Sequence, residues 1–270
     1  MIILLEDNFA DVLGKALRGH HLDTAGAARA ANLDPAAVAR LLDGYFEEDA
    51  TRALASALQL SPEALVRLAR GEHRPVVPCP ESMFVATTPF DGMTVNAYIL
   101  WDRSNRDAAI FDTGADPAPL LDAVARFGLN VVAIFLTHSH ADHIRALAAL
   151  KAELGVDAWS SEAEPVRGTR TFRPGDLFNA GHHFIRTRLT PGHSPGGTAF
   201  IIEGHFIQAA MVGDALFAGS VGGVRGDYAE ALATIRREIL SLPDATIVCP
   251  GHGPLTTVES EKTGNPFFAA

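Results

Sequence analysis

The sequence predicts a layered α/β fold with mixed sheets, preceded by a small all-helical domain. Beyond residue 82, short apolar runs that suit strands alternate with amphipathic helical patterns, and hairpin turns join some of the runs. Residues 1–74 show only the apolar spacing that is typical of helices. The stretch 75–81 is rich in proline and predicts an extended linker. We therefore expect a helical domain at 1–74, a linker at 75–81 and a second domain at 82–270.

The charge and the cysteine content limit the classes of protein to which this chain could belong. The 270-residue chain carries a net charge of -10, which opposes strong general binding to nucleic acid or to an anionic membrane surface. No apolar run approaches the length of a membrane span, and the first residues lack the basic region of a secretory signal. Cys79 and Cys249 lie far apart without metal-ligand spacing, so we expect free thiols and a cytoplasmic location.

The helical domain begins with an apolar face at residues 9–17. Thr24 is placed to cap a short alanine-rich helix, Asp34 to cap the next one, and Ser61 to open the last. Residues 24–44 resemble the helix-turn-helix of phage-repressor-type regulators. The charge opposes DNA reading, because residues 1–74 hold eight basic against eleven acidic residues and the candidate recognition helix offers only Arg40. A dimerisation or substrate-covering role fits better.

The elements of the second domain follow one another in an α/β pattern. Residues 102–107 form a turn between two of the strands. Amphipathic spacing predicts helices at residues 120–127, 144–154 and 228–242. Apolar runs predict strands at residues 83–87, 96–101, 108–111, 131–136, 184–189, 198–202, 206–211 and 246–248.

Residues 137–143 hold three histidines and an aspartate directly after an apolar strand. In a loop, His138 and His140 can converge on one metal ion, while Asp142 and His143 turn toward a second. Imidazole and carboxylate suit zinc, iron or manganese, and the absence of cysteine from the cluster argues against a thiolate site. The sequence therefore predicts a metal site here.

Three further turns each display one ligand type near the end of a predicted strand. His193 lies in a turn at 191–197, Asp214 follows Gly213, and His252 lies in a turn at 250–254. Flanking glycine and proline allow tight turns and fix where the side chain points. With the cluster at 137–143 they supply seven nitrogen and oxygen ligands, enough for two ions with a shared carboxylate.

This set of motifs resembles the metallo-β-lactamase superfamily, whose fold is an αββα sandwich with a dinuclear site at one edge of the two sheets. The resemblance covers residues 82–270. It implies two divalent metal ions per chain, with zinc as the expected metal and iron or manganese as alternatives. His138, His140 and His193 would hold the first ion, and Asp142, His143 and His252 the second. Asp214 would bridge the two, and Asp112 would orient ligands.

Within the superfamily, residues 213–222 and 250–259 resemble the glyoxalase II-like (hydroxyacylglutathione hydrolase-like) branch. That branch implies hydrolysis of a small thioester such as an S-acylglutathione. Two ions about 3.5–4 Å apart can share a hydroxide with a pKa near roughly 7, and Asp142 and Asp214 are the expected catalytic carboxylates. Arg225 departs from the branch pattern but is a candidate substrate contact. Glyoxalase II contacts glutathione through a C-terminal helical domain that we do not expect in this chain, so thioester hydrolysis is better supported than glutathione as the specific thiol.

Other functions stay open. The segment 140–144 also resembles persulfide dioxygenases, which use one iron on the same fold, and a lactonase would share the dinuclear site. A regulator that senses a metal and binds DNA through its helical domain is the alternative from another class. We expect no nucleic-acid or membrane partner and consider a homodimer through the helical domain. The remaining histidines are expected to be structural: His20, His21, His73, His182, His183 and His205. We expect His182 and His183 to face solvent or cap the following strand, and His205 to sit in a hairpin turn.

Overall fold

A computed structural model describes residues 4–204 and 207–269 of the chain. Helices occupy the first part, and strands begin at Met83. The helices are α1 Phe9–Gly19, α2 Thr24–Ala31, α3 Pro35–Leu42, α4 Glu48–Ala57, α5 Pro62–Ala69, α6 Ala118–Phe127, α7 Ala141–Ile144, α8 Leu147–Leu154, α9 Tyr228–Glu238 and α10 Val258–Gly264. The strands are β1 Met83–Phe90, β2 Met93–Trp101, β3 Asp107–Phe111, β4 Asn130–Phe135, β5 Ala158–Ser161, β6 Arg170–Phe172, β7 Leu177–Ala180, β8 His183–Leu189, β9 Thr198–Glu203, β10 Gln208–Gly213, β11 Leu216–Phe217, β12 Ser220–Val221, β13 Ile247–Pro250 and β14 Thr256–Thr257.

Side-chain caps set the start of several helices in the first part. Asn8 caps α1 in a reciprocal capping box with Asp11. Asp34 caps α3 as predicted and accepts a hydrogen bond from the Ala36 amide at 2.8 Å. The predicted cap at Thr24 is wrong, because Asp23 caps α2 through the Gly26 amide and Thr24 is already helical.

Two six-stranded sheets form the centre of the fold. The first has the order β1-β2-β3-β4-β5-β6, and the second has the order β14-β13-β10-β9-β8-β7. Both are mixed, with parallel pairs β3–β4, β4–β5 and β5–β6 in the first and β10–β13 in the second. Strands β11 and β12 form a separate short hairpin. The predicted αββα sandwich is confirmed.

Three apolar cores separate the layers. One lies between the sheets and includes Phe111, Phe135 and Phe200. Another packs α6 and α8 on the outer face of the first sheet. The largest covers the outer face of the second sheet and joins α9 to the helices of residues 9–69. The N-terminal helices therefore share one apolar core with the second sheet, which burial of their apolar faces favours.

Polar contacts reinforce this packing. The Lys15 ammonium of α1 donates to the Val221 carbonyl at 2.8 Å and lies 5.0 Å from the centre of the Phe217 ring. The Ser61 amide donates to the Pro266 carbonyl at 2.8 Å. Association of two copies through the helical part stays a prediction. Within residues 4–204 and 207–269, no helix combines the length and the apolar character needed to cross a bilayer.

Several short elements were not predicted from the sequence. Strands β5, β6 and β7 span only three or four residues each, and β6 has two exposed side chains, so their apolar pattern is weak. The helix predicted at 144–154 is divided into α7 and α8. The sequence predicts that His183 faces solvent or caps the following strand. The first alternative is wrong, since that side chain is 4% exposed and its Nε2 lies 3.3 Å from the Trp101 carbonyl. His183 is the first residue of β8. The turn predicted around His205 lies outside the described residues.

A buried carboxyl group, that of Glu261, links α10 to the β11–β12 turn. Glu261 is 0% exposed and accepts hydrogen bonds from the Gly219 amide at 3.0 Å, the Asn265 amide group at 2.8 Å and the Thr256 hydroxyl at 2.6 Å. The imidazole of His73, also buried, lies 3.9 Å away. Burial raises the pKa of Glu261 to about 7 although its hydrogen bonds act in the opposite direction.

We expect Glu261→Gln to make unfolding less dependent on pH. The folded-state pKa of Glu261 lies above its usual value of 4.5, so its contribution to stability is complete below that value and is lost as pH rises through about 7. Relative to the variant, the wild-type protein should lose about 3 kcal/mol of unfolding free energy between roughly pH 5 and pH 9. Urea titrations across this range test the prediction. The exposed Glu259→Gln on the same helix is the control. The same pH dependence of the unfolding free energy in the wild type and in Glu261→Gln would contradict the prediction.

Candidate metal centre

The strands that precede the predicted ligands end at one edge of the sandwich. In the first sheet β3 and β4 run parallel, so Asp112 and residues 137–143 follow strand ends that lie side by side. In the second sheet β10 and β13 run parallel, and β8 has the same direction because both β8 and β10 are antiparallel to β9. Asp214, His252 and His193 follow those ends. The chain directions thus bring together ligands that are far apart in the sequence.

The first cluster consists of His138, His140, His193 and Asp214, each with one ligand atom within 4.8 Å of the others. The Nδ1 atom of His140 lies 2.9 Å from Nε2 of His138 and 2.9 Å from Nε2 of His193. Oδ2 of Asp214 lies 3.3 Å from Nε2 of His193. His140 therefore presents Nδ1 to the centre of the cluster, whereas the other two histidines present Nε2.

The second cluster consists of Asp142, His143 and His252. Oδ2 of Asp142 lies 3.5 Å from Nε2 of His143 and 3.3 Å from Nε2 of His252. Asp214 also reaches this cluster, with Oδ1 at 3.3 Å from Nε2 of His143 and Oδ2 at 3.4 Å from Nε2 of His252. Asp214 thus lies between the two clusters, at the position that the sequence predicts for a bridging ligand.

In four of the five histidines, Nδ1 faces away from the clusters and contacts another group of the protein. Nδ1 of His143 contacts the Asp112 carboxylate at 2.8 Å, and Nδ1 of His138 contacts the Thr137 hydroxyl at 3.0 Å. Nδ1 of His193 and Nδ1 of His252 each contact a backbone carbonyl, at 3.0 Å and 2.6 Å. A proton held at Nδ1 leaves the Nε2 lone pair directed into the cluster, which is the arrangement of a metal-bound histidine.

Two fully buried atoms of the centre, Nε2 of His143 and Oδ1 of Asp214, face each other at 3.3 Å. Neither atom has a hydrogen-bond partner of good geometry among the described residues. Burying polar atoms without hydrogen bonds is costly, and a cation bound to both would satisfy them. The nitrogen and oxygen donors also suit a divalent ion of the zinc, iron or manganese type. The residues present therefore fit metal binding.

Charges inside the centre shift the acid–base properties of its residues. Burial opposes ionisation of Asp214, but His143 and the surrounding hydrogen bonds hold its pKa well below its usual value. Burial alone would lower the pKa of His143, yet the charges of Asp214 and Asp112 raise it well above the ordinary value. Burial and then the charge of His143 lower the pKa of His138 to about 2. These opposed shifts of His138, His143 and Asp214 follow from burial and from the charges that lie within a few ångströms.

Glycine permits the close approach of the ligand loops at two positions. A side chain at Gly251 would place its Cβ 2.2 Å from Oδ1 of Asp214 and 2.6 Å from Cε1 of His143. At Gly213, which has a φ of +50°, a Cβ would lie 2.4 Å from the Thr137 hydroxyl. Only glycine lets these turns lie so close to the ligands while adopting the backbone conformation required at Gly213.

Asp112 holds the loop that carries the central cluster. Its Oδ1 accepts from the Thr137 amide at 2.7 Å, and its Oδ2 accepts from the Thr137 hydroxyl and from His143 at 2.8 Å each. The backbone of Asp112 has a φ of +57°, a strained conformation for a residue other than glycine, which is often found at functional sites. Asp112 thus contacts both His143 and the ligand loop, and its orienting role stays a prediction.

We expect Asp112→Asn to weaken metal binding by about 10- to 100-fold. The amide group of Asn would face Nδ1–H of His143, donor against donor, and favour the tautomer in which Nε2 carries the proton and cannot bind a cation. Competition titration with a chromophoric chelator measures the effect. Asp116→Asn is the matched control, because Asp116 is exposed and accepts a hydrogen bond from the Ala118 amide at 2.9 Å. Equal affinity in the two variants would contradict the prediction.

A cleft of about 680 Å³ opens beside the first cluster. It is bordered by His140 and His193, by Arg225, and by the acidic side chains of Glu164, Asp227 and Glu230. The Arg225 amide donates to the Gly192 carbonyl at 2.8 Å, which keeps this residue next to the turn that presents His193. Arg225 therefore borders the cleft, and its contact with a substrate stays a prediction.

Some residues around the centre were not predicted from the sequence. Glu164 bonds to two ligand loops, and Phe217 lies edge-on to His252 at 5.6 Å. Glu164 belongs to no motif recognised in the sequence, and Phe217 lies in the motif at 213–222 without being a predicted site residue, so only the three-dimensional contacts identify them. Of the histidines predicted to be structural, those within residues 4–204 belong to neither cluster. His20 contacts the Leu58 carbonyl, His73 packs near Glu261, and His182 contacts Asp102 at 2.6 Å.

Fold and donor set together define a metal-binding enzyme of the αββα sandwich class. The sequence pattern of the Metallo-beta-lactamase superfamily matches residues 90–252, which include both clusters. The chain belongs to this superfamily of metallo-hydrolases.

Two curated proteins and one solved structure illustrate the relationship. The chain is 34% identical over 212 residues to hydroxyacylglutathione hydrolase GloC of Haemophilus influenzae, covering 69% of this chain and 98% of that protein. It is 31% identical over 180 residues to the human mitochondrial persulfide dioxygenase ETHE1, covering 63% of this chain and 69% of that protein. The crystal structure of TTHA1623 in a di-iron-bound form aligns with a TM-score of 0.56 at 30% identity, over 68% of this chain and 99% of that one.

Proposed function

We propose that this protein is a dinuclear metal-dependent hydrolase that cleaves a thioester such as an S-acylglutathione. The observation that carries the proposal is the position of Asp214 between two complete donor clusters. The similarity to GloC over nearly the whole length of that protein supports the thioester as the substrate class. Zinc is the metal we propose, with iron or manganese as alternatives.

Each side chain of the centre has a distinct part in this proposal. His138, His140 and His193 would hold one ion, Asp142, His143 and His252 the other, and Asp214 both. Bound there, two divalent ions supply acidification of a water molecule and stabilisation of the negative charge that develops on the carbonyl oxygen.

The protein's own groups would orient the reactants and move the proton. Asp142 is the more accessible of the two carboxylates, with 13% of its side chain exposed against 7% for Asp214. It can orient the attacking water and accept its proton. Arg225 would contact the substrate from the wall of the cleft. A thiolate is a good leaving group, so breaking the C–S bond of the thioester requires no general acid beside the sulfur.

A panel of substrates on protein of defined metal content tests the proposal. Elemental analysis of protein purified without chelator should give close to two divalent ions per chain. An acylated glutathione, an acylated simple thiol, a lactone and a persulfide are then compared by kcat/KM. We expect both thioesters to be hydrolysed fastest, with release of the free thiol. Faster turnover of the lactone would assign lactonase activity instead.

The similarity to ETHE1 favours one second candidate, a persulfide dioxygenase. In such an enzyme the first cluster alone would hold one iron, and oxygen would be consumed with the persulfide. The two functions differ in metal count and in oxygen uptake. One tightly held iron per chain together with oxygen consumption would replace the hydrolase proposal.

We also propose that the helical part does not read DNA. Residues 1–74 hold more acidic than basic residues, and Arg40 is the only basic side chain on α3. Nonspecific affinity for DNA comes mainly from neutralising phosphates, so the full-length protein should not bind random duplex DNA even at low salt. Fluorescence anisotropy with a labelled duplex measures this. Tight binding that weakens steeply with added salt would contradict the prediction and favour the regulator.

A further inference from the structure

Glu164 lies outside both metal clusters, in the loop that follows β5, and its side chain is half-buried. Its two carboxylate oxygens face different loops. Oε1 accepts hydrogen bonds from the Ser139 amide at 3.0 Å and from the Ser139 hydroxyl. Oε2 accepts from the Ser194 hydroxyl at 2.6 Å and from the Gly196 amide at 2.8 Å. One carboxylate thus accepts four hydrogen bonds, two from each loop.

These two loops carry all the histidines of the first cluster. Ser139 stands between His138 and His140, after strand β4 of the first sheet. Ser194 directly follows His193, in the loop between β8 and β9 of the second sheet. Glu164 therefore connects the two sheets at the place where their histidines meet. The contact is close, because a Cβ at Gly196 would lie 2.3 Å from Cβ of Glu164.

The charge of Glu164 strengthens this connection. Burial opposes ionisation, but the hydrogen bonds from Ser139, Ser194 and Gly196 lower the pKa of Glu164 below its ordinary value. Hydrogen bonds to an ionised carboxylate are shorter and about twice as strong as those between neutral groups.

The geometry of the first cluster depends on the distance between the loops. Nδ1 of His140 lies 2.9 Å from Nε2 of its loop neighbour His138 and 2.9 Å from Nε2 of His193 on the other loop. A shift of one loop against the other would change the second distance but not the first. Metal affinity is sensitive to such displacements, because ligand orientation depends on the groups that hold the ligands.

We propose that Glu164 is a positioning residue that sets the metal affinity of the first cluster by holding its two histidine loops together. The proposal rests on the proposed metal centre, but it is independent of whether the substrate is a thioester. Glu164 also borders the large cleft, so the same carboxylate fixes the wall beside the position of the substrate.

The substitution Glu164→Gln tests the connection between the loops. Glutamine keeps one acceptor oxygen and turns the other into an amide donor, which would face two donors of one loop. One loop keeps its hydrogen bonds to residue 164 and the other loses them, while the side chain keeps its size and shape. We expect one of the two metal sites to bind Co²⁺ about 10- to 100-fold more weakly and its visible absorption spectrum to change, while the other keeps its wild-type affinity.

The matched control is Glu162→Gln, two residues away, where the carboxylate is exposed and pairs with Arg173 at 2.9 Å. Co²⁺ is titrated into metal-free protein of each variant, and urea unfolding of the same metal-free samples is measured. Weakened Co²⁺ binding in Glu164→Gln alone, with metal-free stability close to that of the control, supports the proposal. Ser139→Ala and Ser194→Ala should each reproduce part of the loss.

Two results would overturn the proposal. One is wild-type Co²⁺ affinity and spectrum in Glu164→Gln. The other is a loss of metal-free stability in Glu164→Gln that alone accounts for the weaker binding. A wild-type protein that binds Co²⁺ but hydrolyses no thioester would overturn the proposed substrate class and leave the role of Glu164 intact, so the two failures can be distinguished.

Discussion

Asp214→Asn should remove most of the metal and nearly all hydrolytic activity, with kcat lower by on the order of 10³-fold or more. The reason is electrostatic. Asp214 is 7% exposed, and its Oδ2 lies within 3.4 Å of Nε2 of both His193 and His252, one from each cluster. Two cations held in the neighbouring clusters would need the shared negative charge, and the isosteric amide removes that charge without changing the packing. Metal analysis, Co²⁺ titration and thioester hydrolysis measure the result.

The control for this variant is Asp244→Asn, an exposed carboxylate that pairs with Lys262 at 2.7 Å. It should keep metal and activity. His182→Ala should keep both as well, because His182 contacts Asp102 and not the clusters. Retention of two ions and wild-type kcat in Asp214→Asn would show that the bridging assignment is wrong, and loss of metal in His182→Ala would show that the ligand set is misassigned.

Much of the centre could be predicted because its ligands follow strand ends. A strand rich in apolar and β-branched residues, such as β4, can be recognised from its sequence. The short loop that follows such a strand lies at the edge of the sheet, so ligands in that loop lie there as well. Glycines such as Gly213 and Gly251 are also readable from the sequence, because tight turns next to the ligands require them. The prediction of the αββα sandwich rests on the resemblance to a known family, which these local motifs support.

What could not be predicted depends on distances across the fold. Glu164 acts on Ser139 and Ser194, which approach it only when the two sheets pack. The buried position of His183 follows from the pairing of β8 with its neighbours, and nothing in residues 182–184 indicates it. The packing of α1 against the second sheet is of the same kind, since an amphipathic helix does not show in its sequence which surface it covers.

That packing leads to the second large expected effect. Deleting residues 1–74 should leave residues 75–270 unfolded or aggregated. The helices cover the outer face of the second sheet, and their removal would expose buried residues such as Val212, Leu216 and Val248 to water. Each large apolar side chain contributes about 1.5–3 kcal/mol through burial, so exposing several costs an amount comparable to a typical stability of about 5–15 kcal/mol. Circular dichroism and size-exclusion chromatography of the truncated chain measure the outcome.

A point substitution tests the same packing without removing a segment. Leu65 in α5 is 0% exposed within the shared core, and Leu65→Ala should lower the unfolding free energy by about 2–5 kcal/mol. The exposed Leu177→Ala should change it by less than about 0.5 kcal/mol. The Lys15 contacts to Val221 and Phe217 extend the packing to a ring that touches His252, so the truncated chain should also fail to hold metal. A truncated chain that unfolds cooperatively and binds two ions would show that the helical part is a separate domain rather than a layer on which the catalytic fold depends.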